Sequence, residues 1–323
     1  EHKLIRDSVR AYVKKEISPL IEDYAQRAEF PQQVVPQLGA LGCFGPTIPE
    51  VYGGGGLDYI SYGLMMQELE RGDSGIRSTA SVQGSLVMFP IHAYGSEEMK
   101  KKMLPKLASG EWLGCFGLTE PDHGSDPGGM LSNIRDAGDH VVLNGSKMWI
   151  SNAPFARIAV VWAKDEAGEI RGMVVERGME GFSTPATHGT WSLRASATGE
   201  LVFDQVKIPK ANLFPDIRGL KGPLSCLTKA RFGIAWGSVG AAMDCYDTAL
   251  RYSKERVQFD RPIAGFQLQQ KKLAEMITEI TKAQLMNWRL AVLMNEKKAT
   301  PAQVSMAKRN GCEIAANIAR DAR

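Results

Sequence analysis

The spacing of apolar residues changes twice along the chain, which strongly limits the folds available to it. Near the start, apolar residues recur at helical spacing, for example at Ile5 and Val9. Between residues 112 and 215 short apolar runs alternate with turn-forming residues, as in β-strands. The sequence therefore predicts a multidomain α+β protein, with a helical domain at 1–111, a β domain at 112–215 and a helical domain at 216–323.

Composition and charge argue against several classes of protein. The 323 residues are 44% hydrophobic and 23% charged, which is typical of a soluble globular protein. The net charge of +3, with no cluster of Lys and Arg among aromatic residues, argues against nucleic-acid binding. No apolar run reaches the roughly 18 residues of a membrane span. The five cysteines and five histidines are scattered without metal-ligand spacing, so we expect no metal site and a reducing compartment.

The stretch 112–130, WLGCFGLTEPDHGSDPGGM, has the composition of a binding loop. Its apolar start predicts a buried strand, and its prolines and glycines predict a loop after that strand. Thr119 and Ser125 offer hydroxyl groups, and the glycines allow close approach of a ligand to the backbone. These residues alone leave the ligand open, and an ordinary turn after a strand is the alternative.

Two segments in order carry a specific resemblance. Residues 117–126, GLTEPDHGSD, resemble the first signature of the acyl-CoA dehydrogenase family. The run from Trp149 to Asn152, WISN, is similar to the second flavin-facing segment of that family. The resemblance implies an N-terminal helical domain, a β-barrel-like middle domain and a C-terminal helical bundle that is truncated here. It also implies that FAD oxidises an acyl-CoA thioester and that an electron-transfer flavoprotein receives the electrons.

The resemblance assigns flavin contacts to both segments. It implies that Thr119 hydrogen-bonds near the reactive edge of the ring and that Ser125 reaches the pyrophosphate side of FAD or the CoA moiety. His123 departs from the small residue that is usual at its position. The other residues implied to line the flavin are Phe116, Leu118, Trp149 and Ser151.

A third segment, ERVQFDRPIAGFQ, resembles the stretch that binds FAD across a subunit interface in the family. It implies that Arg256 pairs with the pyrophosphate, that Phe259 packs on the adenosine side and that Gln267 bonds the cofactor. Asp260 stands where the family usually has glycine. A cofactor held by two chains implies a homo-oligomer, and by family a homotetramer.

Further residues are assigned to the substrate. By resemblance, Thr228 and Arg231 contact the CoA moiety. The segment ELERGDSGIRSTASVQ resembles that of glutaryl-CoA dehydrogenases, which implies that Arg77 and Ser81 bind the distal carboxylate and that Glu70 handles a proton after decarboxylation. Arg77 and Ser81 are four apart, on one face of a helix, and an apolar pocket could hold a carboxylate only beside a cation.

The resemblance implies oxidative decarboxylation of glutaryl-CoA to crotonyl-CoA, a reaction of lysine and tryptophan degradation. Most of the family supplies the catalytic base from a Tyr-Glu-Gly-Thr run, which is absent before Arg323, and the alternative position is occupied by Ala230. We therefore expect the base C-terminal to Arg323. A short-chain (butyryl-CoA) dehydrogenase and a non-catalytic flavin-binding and CoA-binding paralogue remain alternatives, and glutaconyl-CoA remains an alternative product. The expected location is cytoplasmic in a bacterium and the mitochondrial matrix in a eukaryote.

Overall fold

A computed structural model describes residues 1–323 and contains ten α-helices and ten β-strands. The helices are α1 (His2–Tyr12), α2 (Ile21–Arg27), α3 (Val34–Ala40), α4 (Tyr59–Gly72), α5 (Ser74–Ser81), α6 (Phe89–Tyr94), α7 (Glu97–Ala108), α8 (Lys221–Glu255), α9 (Gln267–Asn295) and α10 (Pro301–Ala322). The strands are β1 (Gly114–Gly117), β2 (Asn133–Asp136), β3 (His140–Ser151), β4 (Ile158–Lys164), β5 (Ile170–Glu176), β6 (Phe182–Ser183), β7 (Thr198–Pro209), β8 (Leu213–Arg218), β9 (Val257–Gln258) and β10 (Arg261–Pro262).

The chain divides into two compact units. The first, here called the helical unit, comprises residues 1–19, 58–77 and 231–323. The second, here called the sheet unit, comprises residues 20–57 and 78–230. Helical segments at both ends of the chain and a β region between them confirm the expected α+β class. The three domain boundaries drawn from the sequence stay a prediction.

The sheet unit is built on an eight-stranded sheet. The strand order is β6-β7-β3-β2-β4-β5-β8, and β1 pairs in parallel with β4. Most neighbours are antiparallel, and the long pair of β3 and β7 runs from His140 opposite Pro209 to Ser151 opposite Thr198. One face buries a core that includes Leu143, Val161 and Leu201. The apolar run at the start of the stretch 112–130 does form strand β1, as predicted.

One expectation about this sheet is wrong. Asn144-Gly145 between apolar alternations predicts a two-residue hairpin, but both residues lie inside the continuous strand β3. Gly145 has a φ of 134° at a register shift between β3 and β7, and a Cβ there would lie 2.4 Å from the Ser132 hydroxyl. The local turn signal thus marks a bulge where two backbones approach closely.

The helical unit packs α8, α9 and α10 around a shared core that includes Val239, Ile280 and Ile314. Small residues on α8 permit close helix packing, as the sequence indicates. A Cβ on Gly240, for instance, would lie 2.0 Å from the Gln67 carbonyl oxygen on α4. None of the helices combines the length and apolar composition that a membrane span requires.

Candidate active site

The first candidate flavin segment begins in β1 and continues into the loop that follows. Phe116 and Leu118 are buried, whereas Thr119 is half-buried. The Thr119 carbonyl accepts a hydrogen bond from the Met148 amide at 2.9 Å, which joins this segment to β3. The Thr119 hydroxyl has no hydrogen-bond partner within the protein and is therefore free to bond a ligand.

The second candidate flavin segment is a bulge in β3. The register against β7 shifts between Lys147 and Ile150, and Trp149 lies in this bulge with a φ of 61°. A bulky residue in the left-handed region is strained, and such strain concentrates at functional sites. The Trp149 side chain is 57% exposed, and the nearby Ser151 hydroxyl makes no hydrogen bond within the protein. The bulge thus provides an accessible aromatic ring and an unpaired hydroxyl.

Asn152, the last residue of the WISN run, received no role from the sequence, and it fixes the end of this bulge. Its side-chain amide donates to the Gly114 carbonyl at 3.2 Å, and its side-chain carbonyl accepts from the Thr79 hydroxyl at 3.3 Å. Its backbone amide donates to the Ala197 carbonyl at 2.8 Å. Asn152 has a φ of 69°, a conformation that Asn tolerates better than most residues. This tolerance, together with the place of Asn152 in the WISN run, is the sequence signal that could have pointed to its role.

A buried ion pair, also missed by the sequence reasoning, connects the two candidate flavin segments. Lys147 is fully buried, and its ammonium donates to a Glu120 carboxylate oxygen at 2.8 Å and to the Leu118 carbonyl at 3.1 Å. Glu120 also accepts from the backbone amides of Leu131 at 2.6 Å and Ser132 at 3.0 Å. Both charges are therefore paired and hydrogen-bonded, as burial requires.

The surroundings of this pair hold Glu120 in its charged form. Burial raises the pKa of Glu120, but hydrogen bonds from the Leu131 amide, from Lys147 and from Ser132 outweigh it and lower the pKa to about 2. Burial also lowers the pKa of Lys147, against the opposing effect of Glu120. The site therefore depends on a carboxylate that only strong acid protonates.

We expect acid to remove the contribution of Glu120 to stability in a defined range of pH. Because its pKa falls from 4.5 to about 2 on folding, that contribution is fully present above pH 4.5 and is lost as the pH falls through 2. Urea denaturation at a series of pH values from neutral downwards gives the free energy of unfolding of the wild type and of Glu120→Gln. The difference between the two should disappear in this range of pH. A difference that stays constant down to the acid limit would contradict the assignment.

The loop that carries Ser125 closes on itself. His123 and Glu120 exchange two backbone hydrogen bonds at 3.2 Å, which form a tight turn. A Cβ on Gly129 would lie 2.4 Å from His123 Nδ1, so this glycine makes room for the bulky imidazole. Ser125 is exposed, and its hydroxyl has no partner within the protein. The unusual His123 is therefore compatible with a formed loop.

In the helical unit, Arg77 is buried and forms an ion pair with Glu70. The guanidinium donates to Glu70 through Nε at 2.5 Å and through Nη2 at 3.4 Å, and Nη1 has no hydrogen-bond partner. The Ser74 hydroxyl donates to Glu70 at 2.8 Å. A Cβ on Gly237 would lie 1.9 Å from a Glu70 oxygen, so α8 approaches the pair through a glycine. The pairing was not predicted, and it leaves one guanidinium nitrogen free for an anion.

The remaining substrate residues are placed as follows. In the sheet unit, Ser81 is buried, and the Thr228 hydroxyl donates to the Leu224 carbonyl at 3.0 Å. In the helical unit, Arg231 is half-buried and makes no ion pair or hydrogen bond through its side chain. An unpaired guanidinium at such a position is available to a ligand anion.

Arg256, Phe259 and Gln267 lie at the surface of the helical unit. Phe259 is 88% exposed at the tip of the β9–β10 hairpin, and its ring contacts that of Phe266 at 6.1 Å between centroids. Arg256 and Gln267 are exposed, and their side chains make no hydrogen bond within the chain. All three are accessible to a cofactor or a second subunit.

The hairpin tip explains why glycine suits position 260. Phe259 and Asp260 have φ values of 53° and 60°, the geometry of a type I′ turn. We expect Asp260→Gly to raise the free energy of unfolding by about 0.5–1 kcal/mol, because relief of the left-handed strain exceeds the added entropy of the unfolded chain. Gln258→Gly, at the neighbouring strand position, should lower stability in the same denaturation assay. Destabilisation by both changes would contradict the strain argument.

Profiles of three protein domains together match nearly the whole sequence. The N-terminal domain of acyl-CoA dehydrogenase matches residues 1–111, the middle domain matches 115–206 and the C-terminal domain matches 218–323. The chain belongs to the acyl-CoA dehydrogenase family. The chain therefore has the fold that its two flavin-type motifs predict.

Several proteins are similar to this chain over most of their length. A glutaryl-CoA dehydrogenase of Desulfococcus multivorans is 39% identical over 318 residues, which cover 95% of this chain and 82% of that protein. The human mitochondrial short-chain specific acyl-CoA dehydrogenase is 34% identical over 326 residues, which cover 99% of this chain and 79% of that protein. A glutaryl-CoA dehydrogenase of Mycobacterium smegmatis in complex with FADH2 has a TM-score of 0.97 at 44% identity, covering 99% of this chain and 83% of that one.

The candidate residues of the sheet unit fit a flavin. The Trp149 ring is accessible and held in a strained conformation, and the Thr119 and Ser151 hydroxyls have no partners within the protein. A flavin ring has an aromatic face and several hydrogen-bonding edge atoms, which suit an aromatic side chain and free hydroxyls. The sheet unit thus offers the donor set that such a cofactor needs.

Proposed function

We propose that the complete protein dehydrogenates and decarboxylates glutaryl-CoA to crotonyl-CoA and CO2, and passes the electrons to an electron-transfer flavoprotein. FAD is the cofactor, as the sequence predicts, and when bound it accepts the hydride from the thioester. The buried Arg77, with its Nη1 free of hydrogen bonds, is the observation that carries the proposal. Two relatives named glutaryl-CoA dehydrogenase, at 39% and 44% identity, support it.

In this proposal, Arg77 binds the carboxylate at the distal end of the acyl chain. A carboxylate enters an apolar site only when a cation and hydrogen bonds replace its water. Glu70 holds the guanidinium through Nε and Nη2, which fixes its plane and leaves Nη1 for the substrate. Ser81 on the same helix α5 supplies a hydroxyl four residues further on. Glu70 moves a proton after CO2 has left.

The other residues act by placing the reactants. Thr119 and Ser151 donate hydrogen bonds to the flavin edge, Trp149 covers its ring, and Phe116 and Leu118 exclude water from it. Arg231 and Thr228 hold the CoA moiety, with Ser125 at the pyrophosphate. Arg256, Phe259 and Gln267 bind FAD across an interface between two copies of this chain, in a homotetramer.

A second candidate is a short-chain acyl-CoA dehydrogenase, and one observation favours it. Because Glu70 already neutralises Arg77, the pair carries no net charge and is also compatible with a purely structural role. The human short-chain relative at 34% identity is consistent with this alternative. The two functions differ in whether the substrate needs a distal carboxylate.

Analysis of the product tests the proposed function. Full-length flavoprotein would be incubated with glutaryl-CoA and an artificial electron acceptor, and the acyl-CoA product identified by mass spectrometry. Crotonyl-CoA with release of CO2 is the expected result. Accumulation of glutaconyl-CoA would contradict the decarboxylation. Turnover of butyryl-CoA alone would support the short-chain alternative, and no turnover of either would support a non-catalytic paralogue.

A further inference from the structure

We propose that Lys147 and Glu120 are positioning residues for the flavin, because their ion pair fixes Thr119 relative to the Trp149–Ser151 bulge. Neither residue is assigned a ligand contact. They act through the backbone and the neighbouring side chains of the two flavin segments. The inference rests on FAD as the cofactor and does not depend on which acyl group is the substrate.

The first argument is the place of the two residues on either side of Thr119. The Lys147 ammonium bonds the Leu118 carbonyl, immediately before Thr119, and the Glu120 carboxylate, immediately after it. The Met148 amide bonds the carbonyl of Thr119 itself. Three consecutive residues of the first segment are thus held by two consecutive residues of β3, so Thr119 is fixed at its own carbonyl and on both sides.

The second argument is the place of Lys147 before the bulge. Lys147 lies opposite Leu201 of β7, and this is the last regular pair of β3 before the register shift. Trp149 follows two residues later. Asn152 holds the other end through bonds to the Gly114 and Ala197 carbonyls. The strained Trp149 conformation is therefore maintained between two buried polar anchors, as strain of this kind requires.

The third argument comes from the energetics of buried charge. Apolar residues of similar volume often stabilise a core to the same extent as a buried ion pair. Stability alone therefore does not explain why the fully buried residue 147 is a lysine. Lys147 donates to the Leu118 carbonyl and the Glu120 carboxylate, and Glu120 accepts from the amides of Leu131 and Ser132. These directional bonds specify one arrangement of the three segments that contain Leu118–Glu120, Leu131–Ser132 and Lys147. Apolar packing would allow these segments to shift against one another.

Binding and spectroscopy of FAD test the proposal in the full-length protein. Lys147→Met and the double variant Glu120→Gln/Lys147→Met would be compared with Arg10→Met, which breaks a partly buried ion pair with the buried Glu68 in the helical unit. The measurements are the dissociation constant of FAD from titration of the apoprotein, the visible absorption spectrum of the bound flavin and its reduction potential. None of them requires turnover.

We expect FAD to bind at least about tenfold more weakly to both sheet-unit variants, with an altered flavin spectrum, even where the double variant regains stability. Arg10→Met should lose stability without either change. The proposal would be overturned if the double variant bound FAD like the wild type and with the same flavin spectrum. It would also be overturned if Arg10→Met weakened FAD binding as much as the sheet-unit variants do. Failure of the wild type to bind FAD would instead contradict the assignment of FAD as the cofactor.

Discussion

Replacing Arg77 by methionine is expected to lower kcat/KM for glutaryl-CoA by about a hundredfold or more, and that for butyryl-CoA by less than about tenfold. The change removes the cation that the distal carboxylate requires and leaves that carboxylate buried without a partner. Butyryl-CoA has no distal carboxylate. Its kcat/KM should therefore fall only because Glu70 rearranges once it has lost its partner. Steady-state kinetics with both substrates measure the ratio.

Two control variants separate this effect from general damage to the site. Arg231→Met removes a predicted CoA contact and should lower kcat/KM for both substrates by the same factor, since both carry CoA. Glu70→Gln/Arg77→Met removes both charges, and its kcat/KM for butyryl-CoA, which is not decarboxylated, tests whether an unpaired Glu70 causes general damage in Arg77→Met. Equal losses for the two substrates in Arg77→Met would contradict the role of Arg77 in carboxylate binding.

Replacing Lys147 by methionine is expected to lower the free energy of unfolding by about 3–5 kcal/mol, since it leaves the Glu120 carboxylate buried without its cation. Glu120→Gln/Lys147→Met should cost clearly less than Lys147→Met, because no uncompensated charge remains. Chemical denaturation of the two single variants and the double variant gives the coupling between these residues.

A matched control for this prediction lies in the same sheet unit. Lys210 and Asp136 are also 2.8 Å apart, but both side chains are about half exposed. Lys210→Met should therefore change stability by less than about 1 kcal/mol. Losses of similar size in Lys147→Met and Lys210→Met would contradict the argument from burial.

The sequence predicts the elements that depend on local pattern. Helix α9 begins at Gln267 and ends at Asn295 as its periodicity indicates. Ser96 caps α7 by accepting a hydrogen bond from the Met99 amide at 3.2 Å. Caps and helical periodicity are set within a few residues, so neighbouring residues suffice to locate them.

Interactions between distant residues escaped the sequence analysis. Lys147 and Glu120 are separated by 27 positions, and a lysine in an alternating strand is ordinarily assigned to the solvent side. Glu70 and Arg77 were singled out individually, but the helix break at Asp73 concealed that they face each other. Asn144-Gly145 has a turn signal that sheet pairing overrides. Such contacts depend on the tertiary fold, which no local pattern encodes.

The choice of substrate is tested most directly by the rate of anaerobic flavin reduction in full-length protein. Glutaryl-CoA and pentanoyl-CoA have acyl chains of equal length and differ only in the distal carboxylate. Faster bleaching of the flavin absorbance by glutaryl-CoA, with this preference abolished in Arg77→Met, is the result we predict. Equal or faster bleaching by pentanoyl-CoA in the wild type would contradict a site built around a carboxylate.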